Sequence, residues 1–145
     1  MKKLIFLLIG MVTAPILDGQ VITVTFKELY TFKHPKDMDL YQAQRDSVLE
    51  FTAFGAVNGE DVVDLNNNTY TRITNGIVDY SGTISENIKD GNVFTIWLGK
   101  SLFILSHNIE NGEYVFIAEH PDTQNTGFIR GELSMGNQLE VKIEN

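Results

Sequence analysis

The 145 residues contain no cysteine. Neither a disulfide framework nor a thiolate nucleophile or metal ligand is therefore available. Histidine is nearly as scarce, with only His34, His107 and His120. Zinc needs three or four ligands converging within about 2.0–2.3 Å of one point. His107 and His120 close successive strand-like segments at opposite ends, which separates them by roughly 20 Å, and His34 falls in a helical connection. No metal site is expected from them. Basic residues are also few, eleven Lys and Arg against nineteen Asp and Glu, for a formal charge of −8. That field repels phosphate backbones, so no nucleic-acid partner is expected. The chain has no glycine–x–serine–x–glycine elbow, no phosphate-cradling glycine loop, and no repeat or linker. Glu50, Glu60, Asp61, Asp64, Glu119 and Glu132 offer many carboxylate pairs but single out none for glycoside hydrolysis. No catalytic set and no cofactor emerge, so a binding protein is expected before an enzyme.

Long apolar runs are missing too, except for one. Leu4 to Leu17 is apolar over fourteen residues, which rise about 21 Å as a helix against roughly 30 Å of hydrocarbon. The chain is therefore not expected to span a membrane. Lys2 and Lys3 precede the run and small residues follow it, the pattern of a secretory signal peptide. Residues 1–19 read as that peptide, with Gln20 as the first mature residue, and 20–145 as a single β domain. Removing Lys2, Lys3 and Asp18 leaves a net charge of −9. A secreted or periplasmic location in a bacterial envelope follows as the expectation. An exported chain without disulfides must be held by its hydrophobic core.

What remains is short, β-branched and punctuated. Alternating or apolar segments at 21–27, 49–57, 61–65, 69–74, 77–84, 93–98, 101–107, 113–119, 127–134 and 138–143 read as ten strands. Asn58-Gly59, Asn75-Gly76 and Asn111-Gly112 supply turn signals, since both central residues of a type I′ turn need positive φ. A turn at Asn75-Gly76 sets Thr74 opposite Ile77, Ile73 opposite Val78, Arg72 opposite Asp79 and Thr71 opposite Tyr80. A turn at Gly99-Lys100 sets Trp97 opposite Leu102, Ile96 opposite Phe103 and Phe94 opposite Leu105. Both faces of that hairpin are apolar, so it should be covered on both sides, with residues 93–106 filling a core, lining a hollow or meeting a second copy of the chain. A loop of Met135 to Asn137 sets Leu133 opposite Leu139 and Gly131 opposite Val141. Residues 35–48 read as a short helical segment with Met38, Tyr41 and Arg45 on one side.

The fold class is all-β, either an antiparallel up-and-down barrel or a β-sandwich. One strand, a helical interruption and about nine further strands resemble the layout of the small lipid-carrier barrels (the lipocalins and fatty-acid-binding proteins). The likeness is one of layout. No glycine–x–tryptophan stands near the first strand, and Arg130-Gly131-Glu132 is not the arginine–x–tyrosine clamp of those families.

Asp64, Asn66 and Asn68 occupy positions 1, 3 and 5 of a calcium-loop spacing. The glycine at 6 and glutamate at 12 are replaced by Thr69 and Asn75, so a turn is expected. Phe94, Trp97, Phe103, Tyr114 and Phe116 cluster in the C-terminal half. In a barrel they would line a cavity for a small hydrophobic or amphipathic molecule. In a sandwich they would be core, and the protein a structural, adhesion or interaction module.

Overall fold

The computed structural model describes residues 20–46, 50–52, 56–124 and 126–144. The leader segment 1–19 lies outside the described residues. The rest is all-β, in two antiparallel sheets with one short helix. The strands are β1 (Val21–Glu28), β2 (Tyr30–Pro35), β3 (Glu50–Thr52), β4 (Ala56–Asp64), β5 (Thr69–Thr74), β6 (Ile77–Thr83), β7 (Glu86–Asp90), β8 (Val93–Leu98), β9 (Ser101–His107), β10 (Tyr114–Pro121), β11 (Phe128–Met135) and β12 (Leu139–Glu144). The helix α1 is Leu40–Arg45. The first sheet runs β12-β1-β4-β5-β6 and the second β3-β2-β11-β10-β9-β8-β7. The result is a sandwich-like fold, and no closed barrel is formed.

The two sheets share a corner. β1 and β2 are separated only by the buried Leu29, yet they belong to different sheets. β11 runs beside β2 and β12 beside β1, so the last two strands follow the same bend. A single 3₁₀ turn, Gly136–Gln138, makes that bend. A hairpin at Met135–Asn137 is therefore not formed, and Leu133 does not face Leu139. Leu133 pairs with Ile117 and Tyr30, and Leu139 pairs with Phe26. Pairing with both halves of one bent strand satisfies more backbone than a local hairpin would. On the opposite side the sheets stay apart. The amide of Ile84 donates to Asn68 O in the first sheet, and that of Ser85 to Trp97 O in the second. The two residues that connect β6 to β7 thus bond to opposite sheets.

The Gly99-Lys100 hairpin has the register read from the sequence, with Trp97↔Leu102, Ile96↔Phe103 and Phe94↔Leu105. Side chains on both of its faces are buried: Phe94, Ile96, Phe103 and Leu105 on one, Val93 and Ile104 on the other. The second face is only partly covered, with Thr95, Trp97 and Leu102 half-buried. Between the sheets sits the main core of Ile22, Val24, Phe26, Val63, Tyr70, Phe94, Ile96, Phe103, Leu105 and Phe116. A second cluster, Phe32, Leu40 and Ile117, joins α1 to the outer face of the second sheet. Gly131 is required there, because a Cβ at that position would run into the Phe32 ring.

Three further expectations are corrected. Asn58-Gly59 makes no turn, since β4 runs through it and pairs with β1 on one side and β5 on the other. Two ladders outweigh a local turn propensity. The helix is shorter than 35–48, capped by Asp39, whose carboxylate accepts from Gln42 N at 2.7 Å. Its buried side is Leu40 and Ala43, while Tyr41 and Arg45 face solvent. Finally, the β5–β6 hairpin keeps Thr74↔Ile77 and Ile73↔Val78 but then slips, so that Arg72 lies opposite Tyr80 and Asp79 sits in a bulge.

Candidate functional site

The slip releases Arg72 from Asp79 and lets it turn inward. Its partner is Asp61, directly across the β4–β5 ladder and fully buried. Arg72 Nε donates to Asp61 Oδ1 at 2.5 Å and Nη2 to Oδ2 at 2.7 Å, while Nη1 reaches across to Glu132 Oε2 of the second sheet at 2.6 Å. The Tyr70 hydroxyl also donates to Asp61. Burial pushes Asp61 up from the ordinary carboxylate value, and the Arg72 fork and Tyr70 pull it back. Burial prevails and leaves its pKa raised, while three donors bond its two oxygens. Burial also acts to raise Glu132, but His120 and Arg72 beside it outweigh that effect and bring it down to about 2. This network ties the two sheets together.

It also forms the floor of a cleft of about 320 Å³ between the sheets, bordered by Thr31, Tyr80, His120, Thr123 and Arg130. His120 closes one end. Its Nδ1 is 2.9 Å from Ser101 Oγ, and its Nε2 is 3.6 Å from Glu132 Oε1, too long for a hydrogen bond. A serine beside a histidine is the pairing used for nucleophilic catalysis. Ser101, however, borders neither this cleft nor the groove described next.

The larger cavity is a groove of about 500 Å³ walled by Ile88, Val93, Thr95, Trp97, Leu102 and Ile129, with Lys100, His120 and Pro121 at one end. Glu119, at its edge, accepts or shares a proton with His34. His34 Nε2 is 3.0 Å from Glu119 Oε2 and Nδ1 is 2.9 Å from Pro35 O. His34 lies in β2, not in a helical connection, and is 1% exposed. Burial acts to lower its pKa, but the bonds to Glu119 and Pro35 outweigh it and raise it above 6.5.

The five aromatic residues divide between two faces. Phe94, Phe103 and Phe116 fill the core, where Phe103 lies 4.3 Å from the Tyr70 ring and Phe116 4.9 Å from Phe26, centroid to centroid. The void left among them is about 20 Å³, room for about one water molecule. Tyr114 packs at the margin of that core, stacked on His107 at 4.2 Å. Trp97 faces the other way, into the groove. The residues missed by sequence are Tyr70, Arg72, Lys100 and His120, with Asp61 and Glu132 undistinguished among the acids.

Asp64 makes the expected turn. Its carboxylate accepts from Asn66 N, Asn67 N and Asn67 Nδ2, and Asn68 takes φ 54°. The Asn67 side-chain bond leads the lowering of its pKa. Millimolar calcium is accordingly expected to leave the melting temperature unchanged. A calcium-dependent rise lost in Asp64→Ala would contradict this assignment. Among the described residues no group of three or more His, Asp or Glu side chains is placed to hold a metal, and no helix is long and apolar enough to cross a membrane. Searches against family models, curated proteins and solved structures return no match to this chain.

Proposed function

We propose that this is an exported binding protein that holds a small amphipathic molecule along the Trp97 groove. The observation that carries the reading is the groove itself, an apolar concavity of about 500 Å³ with polar groups at its ends. That size and lining are typical of small-molecule sites. Its place differs from a barrel carrier's, because the core between the sheets around Phe94, Phe103 and Phe116 is filled and the open wall is the outer face of β8 and β9. Lys2, Lys3 and the Leu4–Leu17 run support export to a periplasmic or secreted location.

Trp97 is the only tryptophan, so its emission reports on this groove alone. Titration with fatty acids, retinoids and porphyrins is expected to shift or quench it saturably. The competing reading, an interaction or adhesion module, draws on edge strand β6, where Ile77 is 71% and Val78 61% exposed. A protein whose emission ignores every ligand and which elutes as a dimer through that edge would establish the module instead.

A further inference from the structure

The groove and the inter-sheet cleft end at the same place, and that place is basic. The β8–β9 turn contributes Lys100, β10 contributes His120 near its end, and β11 contributes Arg130, the ladder partner of His120. Lys100 and His120 border the groove, and His120 and Arg130 border the cleft. Such a grouping is notable in a chain with eleven Lys and Arg against nineteen Asp and Glu.

The nearby acids are partly occupied, with Glu119 Oε1 and Glu132 Oε1 buried without a hydrogen-bond partner. Glu119 Oε2 is held by His34 at 3.0 Å, and Glu132 Oε2 and both Asp61 oxygens are held by Arg72. Glu132 Oε1 lies 3.6 Å from His120 Nε2. Asp79 borders the cleft. Asp90 borders the groove, but at its far end, because it pairs with Val93 at one end of β8 while Trp97 and Leu102 mark the other. Among the described residues neither Lys100 nor Arg130 enters an ion pair, and both are exposed. Lys100, a free cation, and the His120 imidazole thus stand at one end of an apolar trough, Arg130 stands beside that imidazole in the adjoining cleft, and Asp90, the groove acid without a cationic partner among the described residues, stands at the other end.

We infer that the ligand is an amphipathic anion, with its chain against Ile88, Trp97, Leu102 and Ile129 and a carboxylate head at Lys100, His120 and Arg130. This rests on the binding reading above and adds the polarity and direction of the ligand. A carboxylate pairs with a guanidinium and an ammonium through charge-assisted hydrogen bonds, stronger than neutral ones. The overall negative field works against capture of any anion at long range, so selectivity falls to these short-range contacts.

The test compares one chain length with three heads. Trp97 emission is titrated at neutral pH with dodecanoate, dodecyl maltoside and dodecyltrimethylammonium, each below its micelle threshold. Dodecanoate is expected to bind roughly tenfold more tightly than either of the others, a ratio equivalent to about 1.4 kcal/mol. The doubly substituted Lys100→Gln, Arg130→Gln protein is expected to treat the three alike. Its melting temperature, read alongside, should stay at the parent value, since both side chains are exposed. Equal binding of all three by the parent protein leaves the groove as a site and overturns the anionic head. Preference for the ammonium places the head at Asp90 and overturns it as well. No response to any of the three overturns the binding reading itself.

Discussion

Replacement of Arg72 by alanine is expected to cost about 3–5 kcal/mol, the range for removing one partner of a buried ion pair. Its side chain is 16% exposed, and those of Asp61 and Glu132 are 1% and 16%. The variant would leave Asp61 fully buried without a counter-ion and Glu132 with His120 alone. An exposed pair with Asp79, as the register first suggests, would give less than about 1 kcal/mol. Urea melts at neutral pH separate the two outcomes cleanly. Arg72→Lys should recover only part of the loss, because an ammonium cannot bond Asp61 through two parallel N–H groups while a third reaches Glu132.

The same network sets an acid limb. Glu132 falls from 4.5 when unfolded to about 2 when folded, which corresponds to on the order of 3 kcal/mol. A lowered carboxylate stabilises the fold above its unfolded value, and that contribution is lost as pH drops from 4.5 towards 2. Asp61 runs the other way, since a raised carboxylate gains stability on acidification, and it offsets part of the loss. His34, raised above 6.5, stabilises the fold below 6.5 and loses that contribution as pH rises through its folded value. The urea midpoint should therefore be highest between about 4.5 and 6.5. In Arg72→Ala the acid limb should flatten. An unchanged limb would mean that Glu132 owes its ionisation to His120 alone.

Phe103→Ala is the second large effect, at about 3–5 kcal/mol, as for other phenylalanines removed from filled cores. The ring is 4% exposed and meets Tyr70, Phe116 and His120, at centroid distances of 4.3, 6.4 and 5.3 Å. Its neighbours come from both sheets, so they cannot collapse into the hole without moving one sheet against the other. Trp97→Ala, on the groove side, serves as the contrast and should lose less stability and more ligand affinity. If the Phe103 variant is instead barely destabilised and binds dodecanoate differently, the interior is a ligand cavity and the division of the aromatic residues between faces is wrong.

The all-β class, the Gly99-Lys100 register and the Asp64 turn were legible because each depends on local spacing. The change of sheet at Leu29 was not, since alternation looks the same in either sheet and one apolar residue carries no mark of a bend. Arg72 read as solvent-facing because a charged residue at an alternate position does so unless its partner is known. That partner, Asp61, lies inside a segment that resembles the start of a strand after a turn. His34 was assigned to a helical connection because Pro35, Lys36 and Asp37 follow it directly. Phe94 and Trp97 are three apart on a strand, so they point to opposite faces and cannot wall one cavity.

The place of β1 in its sheet bears on when this protein can become folded. β1 lies between β4 and β12, and Val21 pairs with Glu144. β1 therefore waits for β12 to fill its outer edge. Closing a contact across nearly the entire chain is slow, because the loop entropy is spent before the contact rewards it. No early segment can complete this sheet alone, and neither sheet can melt alone, because β1–β2 and β11–β12 belong to both.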